Sequence, residues 1–274
     1  MHRQGETCRS DEVSLARLRR MPAEGIHALL AGDPAAALPW VRLAADHGLP
    51  EAQNRLGRML LAGTGVTKDE AAALGWFKTA ARSGDGDAMN MVGRCHENGW
   101  GTERDLVTAA DWYRRSADTG HDWGQYNYAN MLFDGLGVPE DRTEALSWYL
   151  KAARQGHGRA MNLAARCYEE GWGTCGDRAE AAEWYRRSAE AGYFRGAFNH
   201  ASLLAAQGKT AEAALWFAKA AEDGTDAIRR RIVADLIGSA DARLRAVGLR
   251  ARALLHEAGG LASTESEQAL SVAV

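Results

Sequence analysis

Between residues 88 and 119 the apolar positions recur at steps of three and four, with one break. Ala88, Val92 and Cys95 fall on one face of a first segment. Ala109, Trp112, Tyr113, Ser116 and Ala117 fall on one face of a second, and Gly99-Trp100-Gly101 separates them. That spacing predicts helix, turn, helix. Glycine suits the turn, because a helix end often needs a left-handed residue that a side chain would penalise.

The same pattern returns every 36 residues. Trp40, Trp76, Trp112, Trp148 and Trp184 keep this spacing, and so do Gly48, Gly84, Gly120, Gly156 and Gly192. Further registers agree: Gly63/Gly99/Gly135/Gly171, Gly65/Gly101/Gly137/Gly173, Asp69/Asp105/Asp141/Asp177, and Ala37/Ala73/Ala109/Ala145/Ala181. A fixed period of this length is the mark of stacked supersecondary units. Four full units span 52–87, 88–123, 124–159 and 160–195. A short unit follows at 196–227 and a degenerate one precedes them, so the repeat region is 20–227. Each Asp register is placed to accept the free N–H groups that open the second helix, and Thr67 with Glu70 forms the pattern of a capping box. The Ala three residues before each Trp predicts close approach of the paired helices, with the Trp filling the gap to the next unit. Units 88–123 and 160–195 agree at 20 of 36 positions, which points to a 72-residue duplication.

The run A-x-x-x-L-G-x5-G-x-G-V-x-x-D-x6-W-F-x-x-A-A-x-x-G, read at 52–84, resembles the Sel-one-like repeat (SLR) family, a subclass of tetratricopeptide-like helical repeats. The aromatic pairs Trp76-Phe77, Trp112-Tyr113, Trp148-Tyr149 and Trp184-Tyr185 recur in the same register. The resemblance implies an all-α fold: a right-handed superhelical solenoid of antiparallel helix pairs whose first helices line a concave surface. It also implies an adaptor or scaffold role in protein–protein interaction. Some members lock each unit with a disulfide; this chain has no Cys pair per repeat, so the secreted cysteine-rich branch and its hydrolase claims gain no support.

If the first helices line a groove, the third, seventh and tenth positions of each unit share its face. They are Asn54/Arg58/Leu61, Asn90/Arg94/Glu97, Tyr126/Asn130/Phe133, Asn162/Arg166/Glu169 and Phe198/Ser202/Ala205. The candidate partner-binding set is Asn54, Arg58, Asn90, Arg94, Glu97, Tyr126, Asn130, Phe133, Asn162, Arg166 and Glu169. Amides and guanidinium groups suit a peptide backbone or carboxylate, and the aromatics can bury a side chain. The alternative is a solvated polar face; Asn recurring where exposed helix positions favour Glu or Lys speaks for the groove. Trp100 and Trp172 occupy equivalent loops, where each either folds back over its own helix pair or meets a partner.

Signatures of an enzyme are missing: no H-E-x-x-H, G-x-S-x-G or Gly-rich phosphate loop occurs, so no catalytic residue, metal or cofactor is assigned. A hydrolase or other enzyme on this scaffold is the competing reading. His121 and His157 follow repeat-closing glycines and read as turn residues. Cys95 and Cys167 share an apolar register, while Cys175 sits in a loop and is the thiol expected to react.

The composition, 25% charged with a net charge of −3, is that of a soluble globular chain with material for a core. Its charge is uneven: 1–20 sum to +2, 228–257 to +4 and the tail to −2, leaving −7 on 21–227. The acidic repeat region points to a basic protein or peptide partner and away from nucleic acid. No signal-like apolar region opens the chain and no apolar run spans a membrane, which makes the cytoplasm the expected compartment and membrane insertion unexpected. Residues 228–257 read as a helix pair that caps the last repeat. The N-terminal segment 1–19 and the tail 258–274 carry little pattern and are expected to be partly or wholly disordered.

Overall fold

A computed structural model of the chain describes residues 16, 20–22, 24 and 25 and the continuous stretch 33–271, with side chains up to 257. Most of segment 1–19, and residues 272–274, lie outside the described residues. From residue 33 onward the chain forms thirteen helices: α1 (Pro34–Asp46), α2 (Pro50–Ala62), α3 (Glu70–Arg82), α4 (Gly86–Asn98), α5 (Leu106–Asp118), α6 (Asp122–Asp134), α7 (Arg142–Arg154), α8 (Gly158–Glu170), α9 (Arg178–Glu190), α10 (Phe194–Ala206), α11 (Thr210–Asp223), α12 (Asp226–Leu236) and α13 (Ala242–Ser271). The described residues include no strand. The chain divides into two compact units, Met1–Glu140 and Asp141–Val274.

In the first unit the pairs α2/α3 and α4/α5 are antiparallel. The Asp105 N–H donates to the His96 carbonyl at one end of α4/α5 (2.9 Å), and the Ser116 hydroxyl donates to the Gly86 carbonyl at the other (2.6 Å). Asp69 and Asp105 cap the second helices as the sequence predicts, Asp69 accepting from the Ala72 N–H at 2.9 Å and Asp105 from Val107 and Thr108 at 3.0 Å. The capping box at Thr67 and Glu70 does not form. With Asp69 as the cap, the third helical position is Ala72, and Glu70 instead pairs with Lys68 and accepts from the Gly101 N–H (2.8 and 3.3 Å).

The core of this unit runs from Ala37 through Cys95, with Trp76, Trp100 and Trp112 packed at its edge. Ala73 and Ala109 are fully buried, as close helix approach requires. The sequence expectation for the aromatic pairs needs one correction. The residue after the Trp is the one wholly enclosed, Phe77 and Tyr113 here and Tyr149, Tyr185 and Phe217 in the second unit, whereas Trp76, Trp112, Trp148 and Trp216 are half-buried and Trp40 and Trp184 keep 7% of their surface exposed. The reason is helical phase: the Ala/aromatic step of four points at the partner helix, and the Trp falls 100° aside. There a basic residue one turn on covers its ring: Arg115 over Trp112 at 4.0 Å and, in the second unit, Lys151 over Trp148 at 3.4 Å, Arg187 over Trp184 at 4.9 Å and Lys219 over Trp216 at 5.6 Å.

The Gly-x-Gly turn inside each pair packs against the preceding pair. At Gly101, φ is +68°, and a Cβ built there would stand 2.2 Å from the Glu70 carbonyl oxygen. The equivalent approaches are 2.1 Å for Gly137 on Leu106 and, in the second unit, 2.2 Å for Gly173 on Arg142. Each inner turn therefore sits on the backbone that opens the preceding second helix, and no side chain fits between.

The second unit repeats the design in α7–α11 and adds α12 and α13. Ile232, Leu236, Leu244 and Ala251 join the core that holds Phe217 and Ala220, so α12 and α13 lie against the last repeat. Helix α13 continues past 257 through the part of the tail that reaches Ser271. No helix of the described residues is long and apolar enough to cross a membrane.

Candidate interaction face

The third-position residues Asn54, Asn90 and Asn162 are buried, and amide hydrogen bonds link each to the neighbouring first helix. The Asn54 Nδ2 donates to Asp87 Oδ2 of α4 (2.8 Å). The Asn127 Nδ2 of α6 donates to Asn90 Oδ1 (2.7 Å). In the second unit the Asn199 Nδ2 of α10 donates to Asn162 Oδ1 (2.9 Å). Recurrence of Asn thus has a structural cause in the packing of adjacent repeats: a buried amide is retained where it finds a partner.

The tenth positions are tied inward as well. The Tyr113 hydroxyl donates to Glu97 Oε2 at 2.5 Å, and the Tyr185 hydroxyl to Glu169 Oε2 at 2.6 Å. Burial, then the carboxylate, pushes both phenols well above their usual range, so they remain donors. Each bond ties the end of a first helix to the middle of its own second helix.

The seventh positions carry the cations. Arg58 is exposed and makes a bidentate pair with Asp87 (2.6 and 2.7 Å). Arg94 lies over the Trp100 ring at 5.3 Å, and Arg166 over Trp172 at 5.0 Å. The turn tryptophans therefore fold back over their own first helices. Unit 52–87 has Thr64 where units 88–123 and 160–195 have this Trp, and Arg58 turns to Asp87 instead.

Helix α6 is different. Tyr126, Asn130 and Phe133 are half-buried, and one turn earlier Trp123, 41% exposed, meets Tyr126 edge-on with centroids 5.9 Å apart. Trp123, Tyr126, Asn130 and Phe133 are spaced three, four and three residues apart, which places them in one row. The residues at the Trp123 register in the other first helices are Glu51, Asp87, Arg159 and Arg195. Asp87 and Trp123 extend the candidate row by one turn; the sequence pattern read from the third position of each unit does not include them, and extending the period toward the helix N-terminus finds both.

His121 and His157 cap α6 and α8: their Nδ1 atoms accept from the Gly124 and Ala160 N–H groups at 3.2 and 3.1 Å. They are turn residues, as their position after glycine suggests. Cys95 and Cys167 are buried, and burial raises each thiol to about 11, while Cys175 is exposed. Among the described residues no group of three or more His, Cys, Asp or Glu side chains is placed to hold a metal ion.

A family model described as Sel1 repeat matches residues 50–85, 86–121, 124–157, 158–193 and 203–225. Among solved structures, the chain is similar to a Sel1 repeat protein from Oxalobacter formigenes, at 25% identity over 86% of this chain and 98% of that one, with a TM-score of 0.75. It is also similar to c5321, a protective antigen of uropathogenic Escherichia coli strains that displays an SLR fold. There the identity is 29% over 83% of this chain and 51% of that one, with a TM-score of 0.67. The immunity protein PA5088 from Pseudomonas aeruginosa shares the fold alone, at 17% identity over 77% of this chain and 82% of that one and a TM-score of 0.55. No curated protein sequence matches the chain.

Proposed function

Because the chain belongs to the Sel1 repeat family, whose members are generally protein-interaction scaffolds, we propose that it is a non-catalytic adaptor holding a protein or peptide segment on the face of its first helices. The observation that carries this reading is the α6 row. A buried aromatic needs no further account, but Trp123 is exposed beside the half-buried Tyr126 and Phe133, at a register where the other first helices carry Glu51, Asp87, Arg159 and Arg195. Aromatic residues supply much contact area with little side-chain entropy to lose, which is why they anchor protein interfaces. Arg58 and Arg94 stand at the seventh positions of α2 and α4, and a partner backbone carbonyl can share their donors. The cytoplasm is the compartment we propose, with cell fractionation as its check.

Affinity capture from a lysate, run in parallel with the intact protein and with Tyr126→Ala/Phe133→Ala, tests the reading. A bound species lost from the variant, whose circular dichroism stays helical, is expected. Equal capture by both proteins would overturn the placement on α6.

A further inference from the structure

The N-terminal ends of α2, α4 and α6 surround an open cavity of about 810 Å³ in the first unit. Three carboxylates line it: Glu51, Asp85 and Asp87. Of the two guanidinium groups in its wall, that of Arg58 is held on Asp87 by two hydrogen bonds, and Arg55 is also engaged. Asn54 adds an acceptor. Asp87 can only accept, so the Asn54 amide must present Nδ2 to it, which turns Oδ1 away. That oxygen belongs to a residue only 6% exposed and accepts no hydrogen bond.

Beyond the cavity the surface becomes aromatic. Its wall ends at His121, and Trp123 with Tyr126 follows on the next turn of the chain. An edge-to-face pair offers ring faces to a cation as well as to alkyl chains. The row then runs through Phe133 toward Leu136, 38% exposed, while Gly137 rests on the backbone of Leu106 and Val107 at the start of α5. Charge across the first unit has the same sense: residues 33–140 hold ten Lys and Arg against fifteen Asp and Glu, whereas 141–227 hold eleven against twelve. The negative potential thus concentrates on the unit that carries the aromatic row. An acidic partner would meet Glu51 and Asp122, with Arg58 and Asp87 committed to each other and Asp85 capping α4.

We propose that this surface takes a basic and apolar segment of a partner protein, with one Arg or Lys side chain in the cavity and apolar side chains along α6. The inference rests on the first-helix reading above and narrows it to one partner chemistry. Selection of a random-peptide phage library on the intact protein tests it, with retained clones compared on Glu51→Gln/Asp87→Asn and on Trp123→Ala/Tyr126→Ala. Both variants are first checked for unchanged helicity and melting temperature; where Asp87→Asn disturbs folding, Glu51→Gln alone takes its place. The expected clones join Lys or Arg to aliphatic or aromatic residues. They lose at least about tenfold in affinity on either variant, and added salt weakens them. Clones that are acidic, or that respond to the aromatic variant while ignoring the charge variant, overturn the basic chemistry and leave the first-helix reading standing. Clones that bind all three proteins equally place the site elsewhere, and a library that yields no retained clone counts against both readings.

Discussion

Tyr113 and Tyr185 show how one atom decides its neighbour. Each hydroxyl is buried and donates to the tenth residue of its repeat, Glu97 or Glu169; where the aromatic is Phe77 or Phe217, that residue is Leu61 or Ala205, and Tyr149, whose tenth residue is Phe133, stands outside this pairing. The physical rule is that a buried donor needs an acceptor, and a ring without one tolerates an apolar neighbour. Tyr113→Phe alone should cost about 1 kcal/mol by leaving Glu97 half-buried without its donor. Adding Glu97→Leu should recover most of that loss, and a double-mutant cycle in urea checks both; simple additivity would contradict the coupling. Glycine offers a second contrast. Gly101→Ala meets both the left-handed backbone and the Glu70 carbonyl and should cost about 2–4 kcal/mol, whereas Gly120→Ala, with φ +91° and open space around its Cβ position, should cost about 1–2. Equal losses in denaturant melts would show that the inter-repeat approach is soft. Part of the candidate face was legible at this scale: Arg58, Arg94, Tyr126 and Phe133 followed from the period together with the expectation that first helices line a groove, whereas Trp123 did not. The buried roles of Asn54, Asn90 and Asn162 did not, since whether an amide meets solvent or the next helix depends on inter-repeat geometry that no single repeat encodes.

At the scale of helices, the caps explain why each element begins where it does. Asp105, Asp141 and Asp177 accept from the opening N–H groups of second helices, and His121 and His157 do so for α6 and α8. Helix boundaries were therefore readable from Asp and glycine registers, while the histidine caps were readable only as turns. His157→Ala should destabilise by about 1 kcal/mol and His157→Asn by less, since Asn keeps a capping oxygen; thermal unfolding of both variants decides it. The 72-residue alternation also has a packing cause. Ser116 and Ser188 donate to Gly86 and Gly158, and a Cβ at Gly124 or Gly196 would stand 2.2 Å from the respective hydroxyl. The other units place Ala80 and Ala152 at the Ser register and Ala88 and Ala160 at the Gly register, so the alternating units pair Ser with Gly and Ala with Ala. At the C-terminal end, Ile232 is fully buried against the last repeat. Its replacement by Ala should lower stability by about 2–4 kcal/mol, measured in the whole chain.

Over the whole molecule, burial of ionisable groups sets the conditions under which the repeats hold. Burial lowers the imidazoles of His96 and His200 below 6.5, so the folded chain favours their neutral forms. The unfolded chain takes up those protons first as pH falls, and the stabilisation present above 6.5 is lost progressively below it. The thiols of Cys95 and Cys167 act at the other end. Raised from 9.0 to about 11, they stabilise the fold below 9 and cease to do so as pH climbs toward 11. The melting temperature should therefore plateau between these limits, and a midpoint that rises with acid would contradict the account. On a Cys8→Ser background a thiol reagent should modify Cys175 in the native protein and reach Cys95 and Cys167 only on unfolding, which mass spectrometry of the labelled peptides would show. The all-α repeat architecture was legible because a period of 36 constrains every unit at once, whereas the proposed surface includes a departure from that period, Trp123, that means little until neighbouring helices are in place.

The most direct test of the central claim is site-specific photocrosslinking in cells, with the photoreactive residue placed at Tyr126 on α6 or, as the control, at Asp111 on the exposed side of α5. The account predicts a discrete protein adduct from position 126 and none from 111. An adduct formed at 111 with nothing at 126 would contradict it, because the partner would then lie on the second helices.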